Sequence, residues 1–146
     1  MHLIDRVSPP VGRFHLDVFR GGKLFEVVDE DNLVVDTSKI ALAHLVAGAS
    51  GYSISTFGIG TNGTAPATGN TSLTGSYTNA IGTASYPASN QVQFAFALGG
   101  AEANGMSIME FGLLTSGGIL FARKVRPIAL TKTSYISFSG TWTLTF

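Results

Sequence analysis

The last twelve residues of the chain alternate between apolar and polar side chains in one unbroken register. The apolar positions hold Ile136, Phe138, Trp142, Leu144 and Phe146, and serine, threonine or tyrosine fills the positions between them. Successive side chains of a β-strand point to opposite faces, so this period of two predicts a strand with one buried face. Gly140 falls in the apolar register, where the missing side chain leaves room for a neighbour or marks a bend. Because the sequence ends on an aromatic residue, we expect this strand to lie inside a sheet or an interface.

Shorter apolar or alternating runs lie upstream, and turn residues separate them. They predict strands over residues 13–19, 23–28, 52–59, 91–98, 107–114 and 119–126, with an irregular edge strand between residues 76 and 86. Gly21-Gly22 and Ser116-Gly117-Gly118 each predict a tight hairpin turn. Residues 127–133 are expected to connect to the last strand. The acidic run 29–32 predicts a solvated loop, and cation binding is the weaker alternative because the spacing of a calcium loop is missing.

One helix is predicted over about residues 37–47. The segment Asp36-Thr37-Ser38 supplies residues that favour a helix N-cap, and Gly48 supplies a C-terminal stop. Ile40, Ala43 and Ala47 share one face of this helix. We therefore expect the helix to pack over an end or an edge of the sheets.

The whole pattern predicts an all-β fold, an antiparallel β-sandwich or jelly roll with one short helix. Roughly seven to nine strands with frequent turn signals are typical of these architectures. Residues 13–146 are expected to form a single domain. Residues 1–12 are expected to form an extended N-terminal arm, since Pro9-Pro10 favours an extended backbone without ladder donors.

Composition narrows the classes of function. Only 12% of the residues are charged and the formal net charge is 0. Copies of the protein therefore repel each other weakly, which favours a component of a protein assembly. No basic cluster is present, which argues against nucleic acid as a partner. Cysteine is absent, so disulfides and thiolate sites are excluded. No apolar run approaches the ~18 residues of a membrane helix or resembles a secretory signal, so a protein made in a cytoplasm with no membrane partner is expected.

No catalytic constellation is visible in the sequence. His2, His15 and His44 lie in the predicted arm, a strand and the helix, without the spacing of a metal site. The glycine- and threonine-rich stretch 58–75 contains no lysine, so a surface loop or subunit contact is favoured over a phosphate site. We therefore expect that the protein is not an enzyme and has no cofactor.

Glu102 and Glu110 are the only acidic residues after Asp36. A pair of carboxylates can hydrolyse glycosides, but no aromatic platform for a sugar surrounds these two in the sequence. Glu110 is instead expected to pair with Arg123 or Lys124, because these residues would face it on the neighbouring strand of the predicted hairpin.

Several segments resemble a family of small virion proteins of tailed bacteriophages. They are Glu102-Ala103-Asn104-Gly105, Glu110-Phe111-Gly112-Leu113-Leu114, Leu120-Phe121-Ala122-Arg123-Lys124, Phe57-Gly58-Ile59-Gly60-Thr61, Asp31-Asn32-Leu33-Val34-Val35 and Gly140-Thr141-Trp142-Thr143-Leu144-Thr145-Phe146, with Ile108 between the first two. The similarity extends over most of residues 13–146, and its motifs are structural rather than catalytic.

The resemblance implies a jelly-roll capsid cement, or decoration, protein on the outer surface of the virion shell. Its partners would be the major capsid protein and further copies of itself, as a dimer or trimer, and it would be made in the host cytoplasm. A structural module of the tail, neck, baseplate or fibre is the alternative, with tail proteins as partners. A module that binds host glycans comes third, and it is disfavoured because Trp142 lies in the inward register.

The sequence also predicts which residues form the core and which contact a neighbouring protein. Six aromatic side chains on the apolar sides of their strands should form the core: Phe94, Phe96, Phe111, Phe121, Phe138 and Trp142. The two ends of the chain should contact a neighbouring protein, because both carry apolar residues that the domain does not need for its core. The residues predicted for this interface are Leu3, Ile4, Val7, Pro9, Pro10 and Phe146.

Overall fold

A computed structural model of the chain describes residues 9–146, which form nine antiparallel β-strands and one α-helix. The elements are β1 (Val11–Arg20), β2 (Lys23–Val34), α1 (Ser38–Val46), β3 (Ile54–Gly60), β4 (Tyr77–Ala80), β5 (Thr83–Ser85), β6 (Gln91–Leu98), β7 (Ser107–Thr115), β8 (Leu120–Thr131) and β9 (Ile136–Thr145). Both predicted hairpins are present. Gly21, Gly22 and Gly118 have positive φ angles, which glycine adopts without steric cost.

The strands follow the order β4-β3-β7-β8-β2-β1-β9-β6-β5 in one curled sheet. The sheet folds into two layers at β2, which pairs with β1 along most of its length and with β8 only at Leu33 and Val34. At the opposite side, the chain passes directly from β4 in one layer to β5 in the other. This architecture confirms the predicted all-β sandwich or jelly-roll class with one short helix.

Aromatic side chains from both layers meet in the core. The ring of Phe57 on β3 stacks on Phe96 of β6 with centroids 4.0 Å apart, and Phe14 of β1 lies 4.9 Å from Phe111 of β7. All six aromatic residues predicted for the core are buried. Trp142 is fully buried, and its Nε1 donates a hydrogen bond of 2.8 Å to Oδ1 of Asn32. The inward register of β9 is therefore correct as far as Leu144.

Strand β9 lies between β1 and β6, as its alternation predicts. Gly140 faces Leu16 on one neighbour and Phe96 on the other. A Cβ atom at Gly140 would come within 2.6 Å of the Phe96 ring and would also strike the backbone oxygen of His15. The missing side chain thus makes room for Phe96, which confirms the first of the two roles considered for this glycine.

The acidic run 29–32 is not a loop, because β2 continues through it to Val34. Cations on the neighbouring strands neutralise its side chains. Arg13 donates to Asp29 over 2.8 Å and to Asp31 over 3.0 Å, and Lys124 pairs with Glu30. Opposite charges on facing strands stabilise such a pairing, so this run can extend the ladder instead of turning.

Two other strand boundaries, and the buried face of the helix, differ from the sequence prediction. Strand β1 begins at Val11, inside the predicted arm, and β8 runs through the predicted connector to Thr131. Helix α1 buries Ser38 and Ala41 rather than the face of Ile40, Ala43 and Ala47. The smaller face lies inward because the helix packs close to β8, where Thr37 Oγ1 donates to the backbone oxygen of Leu120 over 2.5 Å.

Candidate interaction surfaces

An apolar groove of about 510 Å³ lies where the described chain begins. Pro9, Pro10 and Val11 form one wall, residues 32–36 at the end of β2 form another, and Leu42 of α1 completes it. The side chain of Val11 is 60% exposed although it begins a strand. This groove therefore presents apolar surface that the rest of residues 9–146 leaves uncovered.

A second apolar groove, of about 300 Å³, lies on the other side of the helix. Its outer rim is formed by Leu45, Tyr86 and Phe146, and Leu42 lines it as well as the first groove. Tyr86 is 77% exposed. Leu42 of α1 lines both grooves, and the two grooves together with the exposed end of α1 at Val46 are here called the helix-end surface.

Phe146 lies on this surface and not in the core, although it continues the inward register of β9 in the sequence. Strand β9 ends at Thr145, and the ring of Phe146 is 54% exposed. Asn90 holds the residue at both backbone groups: its oxygen accepts from the Phe146 N–H over 2.9 Å, and its Nδ2 donates to the Phe146 oxygen over 3.0 Å. These two bonds fix the last residue so that its ring faces the second groove.

The structure brings three of the predicted interface residues to one end of the sandwich. Pro9 and Pro10 line the first groove of the helix-end surface, and Phe146 lines the second. Leu3, Ile4 and Val7 lie outside the described residues.

A second apolar region surrounds the β1–β2 hairpin, here called the hairpin-end surface. It comprises the exposed side chains of Leu24, Phe25, Val27, Ile128 and Tyr135. The guanidinium of Arg20 lies 4.2 Å from the centre of the Phe25 ring, and Gly21 N–H donates to the Tyr135 oxygen over 2.9 Å. Sequence reasoning missed this surface, although apolar residues on both registers of β2 were the available signal.

The two surfaces lie at opposite ends of the molecule. Strand β1 starts beside the first groove at Val11 and ends at Arg20 next to the hairpin. Ten residues of a strand span about 30 Å at ~3.3 Å per residue. A partner that covers one surface therefore leaves the other free for a different partner.

A buried ion pair stiffens the layer between these ends. Arg123 Nε donates to Glu110 Oε2 over 2.7 Å, and both side chains are almost completely buried. The sequence prediction that Glu110 pairs with Arg123 or Lys124 is confirmed for Arg123. A buried pair is stable only when its remaining donors and acceptors are also satisfied, and a loop supplies those partners here.

That loop is the glycine- and threonine-rich stretch after β3. Arg123 donates to the backbone oxygens of Asn62 and Thr64 over 3.0 and 3.1 Å and to Asn70 Oδ1 over 3.0 Å. Glu110 Oε1 accepts from the backbone N–H of Thr74 over 2.7 Å. The ion pair thus fixes the loop on the outer face of the β3–β7–β8 layer.

Leu73 anchors the same loop by apolar contact. Gly58 and Gly112 face each other across β3 and β7. A Cβ atom on either glycine would come within about 3 Å of the Leu73 side chain, at 2.7 and 3.0 Å respectively. The two glycines therefore leave a shallow depression that the Leu73 side chain fills. The glycine- and threonine-rich stretch 58–75 thus packs against its own domain.

Local contacts also engage His15, His44 and Glu102. His15 Nε2 lies 3.2 Å from Asp17, and His44 donates to its own helix while its ring stacks on Tyr52. Glu102 accepts from the Gly99 N–H over 2.7 Å and from Asn79 Nδ2 over 3.0 Å, and these bonds hold the pKa of Glu102 below its usual value. Residues 9–146 contain no group of three or more histidine or acidic side chains that could hold a metal ion.

Comparisons with protein-family models, curated sequences and solved structures found no match. In the part of the chain that the structure describes, no helix has the length and apolarity needed to cross a membrane. Function must therefore be argued from the surfaces and the internal contacts.

Proposed function

We propose that this protein is a structural component of a tailed-phage virion, a cement protein that links neighbouring subunits of the outer shell. The observation that carries the proposal is the pair of apolar surfaces at opposite ends of a stiffened sandwich. Exposed apolar side chains such as Val46, 90% exposed, and Ile128, 74% exposed, are typical of contact surfaces when they cluster. The resemblance of the sequence to small virion proteins supports the same class.

A bridging protein stabilises a shell because the shell cannot open without breaking the bridge contacts. A standard interface buries about 1,600 Å² in total, and attachment at two ends multiplies the effect by avidity. Bridging requires a body that does not deform between its ends. The loop held by Glu110, Arg123 and Leu73, and the aromatic core between the layers, supply that stiffness.

A tail, neck or baseplate module is the second candidate, since two end surfaces also suit a protein stacked between rings. Glycan binding is less favoured, because the only tryptophan is fully buried and bonded to Asn32, so it cannot stack on a sugar.

Quantitative mass spectrometry of purified virions that contain this chain would separate the first two candidates. Hundreds of copies per particle are expected for a shell component, whereas single copies or low tens would contradict the cement role and favour the tail.

Binding of the purified protein to shells that lack it tests the two surfaces. Val46→Ser alters the helix-end surface and Phe25→Ser the hairpin-end surface, and both residues are exposed, so the fold should survive. Each variant should bind about ten-fold more weakly, corresponding to about 1.4 kcal/mol.

Thr141→Ala is the matched control, because it changes a partly exposed side chain on the polar face of β9, opposite His15 in the middle of the strand. If Val46→Ser and Phe25→Ser bind as tightly as this control, the end surfaces do not mediate attachment.

A further inference from the structure

Lys132 is a fully buried amine, and none of its hydrogen-bond partners among residues 9–146 is a carboxylate. It follows directly after β8, and its relative exposure is 0%. Its Nζ lies 3.0 Å from Asn104 Oδ1, 3.0 Å from the Thr133 oxygen and 3.3 Å from the Gly100 oxygen. By contrast, the buried Arg123 is paired with Glu110. A buried cation without a paired anion is costly, so this lysine calls for an explanation.

The surroundings of Lys132 make its amine easier to deprotonate than that of an exposed lysine. Burial lowers the pKa of the amine, and the charge of Glu102 only partly opposes this. Once it has lost its proton, the amine carries a free electron pair on Nζ and is a nucleophile. The side-chain amide of Asn104 is an electrophile whose oxygen lies within hydrogen-bond distance of Nζ.

The backbone fixes Asn104 against the amine. Ala103 has a φ of 53°, in the left-handed region that residues other than glycine rarely adopt. On the far side of Asn104, Gly105 N–H donates to the Lys132 oxygen over 2.9 Å, and Lys132 N–H donates to the Met106 oxygen over 2.8 Å. A strained residue persists only where its surroundings hold it, so the loop is locked with its amide beside Nζ.

The distance between the two groups is short enough for reaction. The amide carbon of Asn104 is bonded to Oδ1 at about 1.2 Å, so it lies no more than about 4.2 Å from Nζ. Reacting atoms in productive complexes are ~3–3.5 Å apart, and a small movement of the Asn104 side chain closes the difference. Asn104 is exposed to solvent, which gives the leaving group an exit.

We propose that Lys132 and Asn104 join in an intramolecular isopeptide bond. Nζ attacks the side-chain amide carbon of Asn104, a C–N bond forms, and the bond from that carbon to Nδ2 breaks. The proton that Nζ loses ends on the departing nitrogen, which leaves as ammonia, so no oxidant or external reactant is needed. The bond would link the end of β8 to the loop between β6 and β7, and it stands independently of the proposed virion role.

Intact mass spectrometry of the folded full-length protein tests the proposal. The protein should be lighter than its sequence mass by one ammonia molecule, and a protease digest should contain a branched peptide that joins residues 104 and 132. Lys132→Arg keeps a cation at this position, and Asn104→Ala removes the amide. Both variants should have their full mass, while the control Asn70→Ala, which removes an amide bonded to Arg123, should retain the loss.

Two results would overturn the bond. One is a wild-type protein that keeps its full sequence mass after prolonged incubation. The other is loss of ammonia that persists in Lys132→Arg, because Asn104-Gly105 can also lose ammonia by closing a succinimide ring on its own backbone.

Discussion

At the scale of single residues, the packing of the sandwich depends on three glycines that leave space for large neighbouring side chains. Gly140 lets the Phe96 ring reach the core between β9 and its neighbours, and Gly58 and Gly112 let Leu73 reach the outer face of the other layer. None of these three glycines has a positive φ angle. Their role is therefore space and not backbone freedom.

Gly140→Ala is expected to destabilise the fold by about 1–3 kcal/mol or more, because the new methyl group would overlap the Phe96 ring and the backbone of β1. Unfolding in urea, monitored by Trp142 fluorescence, measures the change. Gly69→Ala is the control, since nothing lies within 4 Å of a Cβ atom at that site. Equal stability of the two variants would contradict the close packing at Gly140.

The Glu110–Arg123 pair gives a second expectation at this scale. Glu110→Gln and Arg123→Met should each destabilise by about 3–5 kcal/mol, because each leaves a buried partner without its counter-charge. The double variant should lose much less than the sum of the two, since no charge then remains buried. Additive losses in a double-mutant cycle would show that the two groups act independently.

At the scale of elements, loops are attached to the sandwich by a few contacts each. The loop after β3 depends on Leu73 and the ion pair, and the loop after β6 depends on Glu102 and Lys132. Loops held in this way have well-defined positions without secondary structure of their own. Each can therefore be loosened separately from the core.

Leu73→Ala is expected to loosen the first loop while the strands remain folded. Hydrogen exchange at the Asn62 and Thr74 amides, which donate to Glu110, should become roughly ten-fold faster, about 1.4 kcal/mol of local stability. Val46→Ala, at a 90% exposed site, should leave these amides unchanged. Unchanged exchange in Leu73→Ala would mean that the ion pair alone holds the loop.

The second loop should respond to acid through Glu102. The folded-state pKa of Glu102 is lowered by Gly99 and Asn79, so the folded state binds this proton less readily than the unfolded chain. The stabilisation is present above the ordinary glutamate pKa of about 4.3 and is lost as the pH falls through the lower folded-state value. Thermal unfolding between neutral and acid pH should show a smaller acid-induced decrease in Glu102→Gln than in wild type. Identical pH profiles would contradict the contribution of Glu102.

At the scale of the whole molecule, the exposed apolar surface and the small number of charges favour association. With a net charge of 0, copies have little long-range repulsion to keep them apart. The helix-end surface contains two apolar grooves, of about 510 and 300 Å³, around one helix. We therefore expect self-association to use that end.

Sedimentation of the purified protein should detect a dimer or trimer, and Val46→Asp should shift it toward monomer because a charge would have to be buried in the contact. Phe25→Asp, at the opposite end, is the matched control and should leave the oligomer intact. A wild-type monomer at all concentrations would contradict self-association. An oligomer lost only in Phe25→Asp would instead place the contact at the hairpin end.

The sequence by itself determined most of the strands and the aromatic core. Alternation along β6 and β9 places Phe94, Phe96, Phe138 and Trp142 inside, and these assignments need only the local rule that neighbouring side chains of a strand point to opposite faces. The glycine turns likewise depend on adjacent residues. Local patterns were sufficient here because burial of one face follows from the strand period alone.

Only the tertiary structure decided what the polar and terminal residues do. The acidic run 29–32 became a strand because Arg13 and Lys124 neutralise it, and Lys124 lies more than ninety residues away in sequence. Asn90 holds the backbone of Phe146 at the surface, and Arg123 holds a loop about sixty residues upstream. Hydrogen bonds and ion pairs depend on which side chains the folded strands bring within about 3 Å, and no periodicity in the sequence encodes those distances.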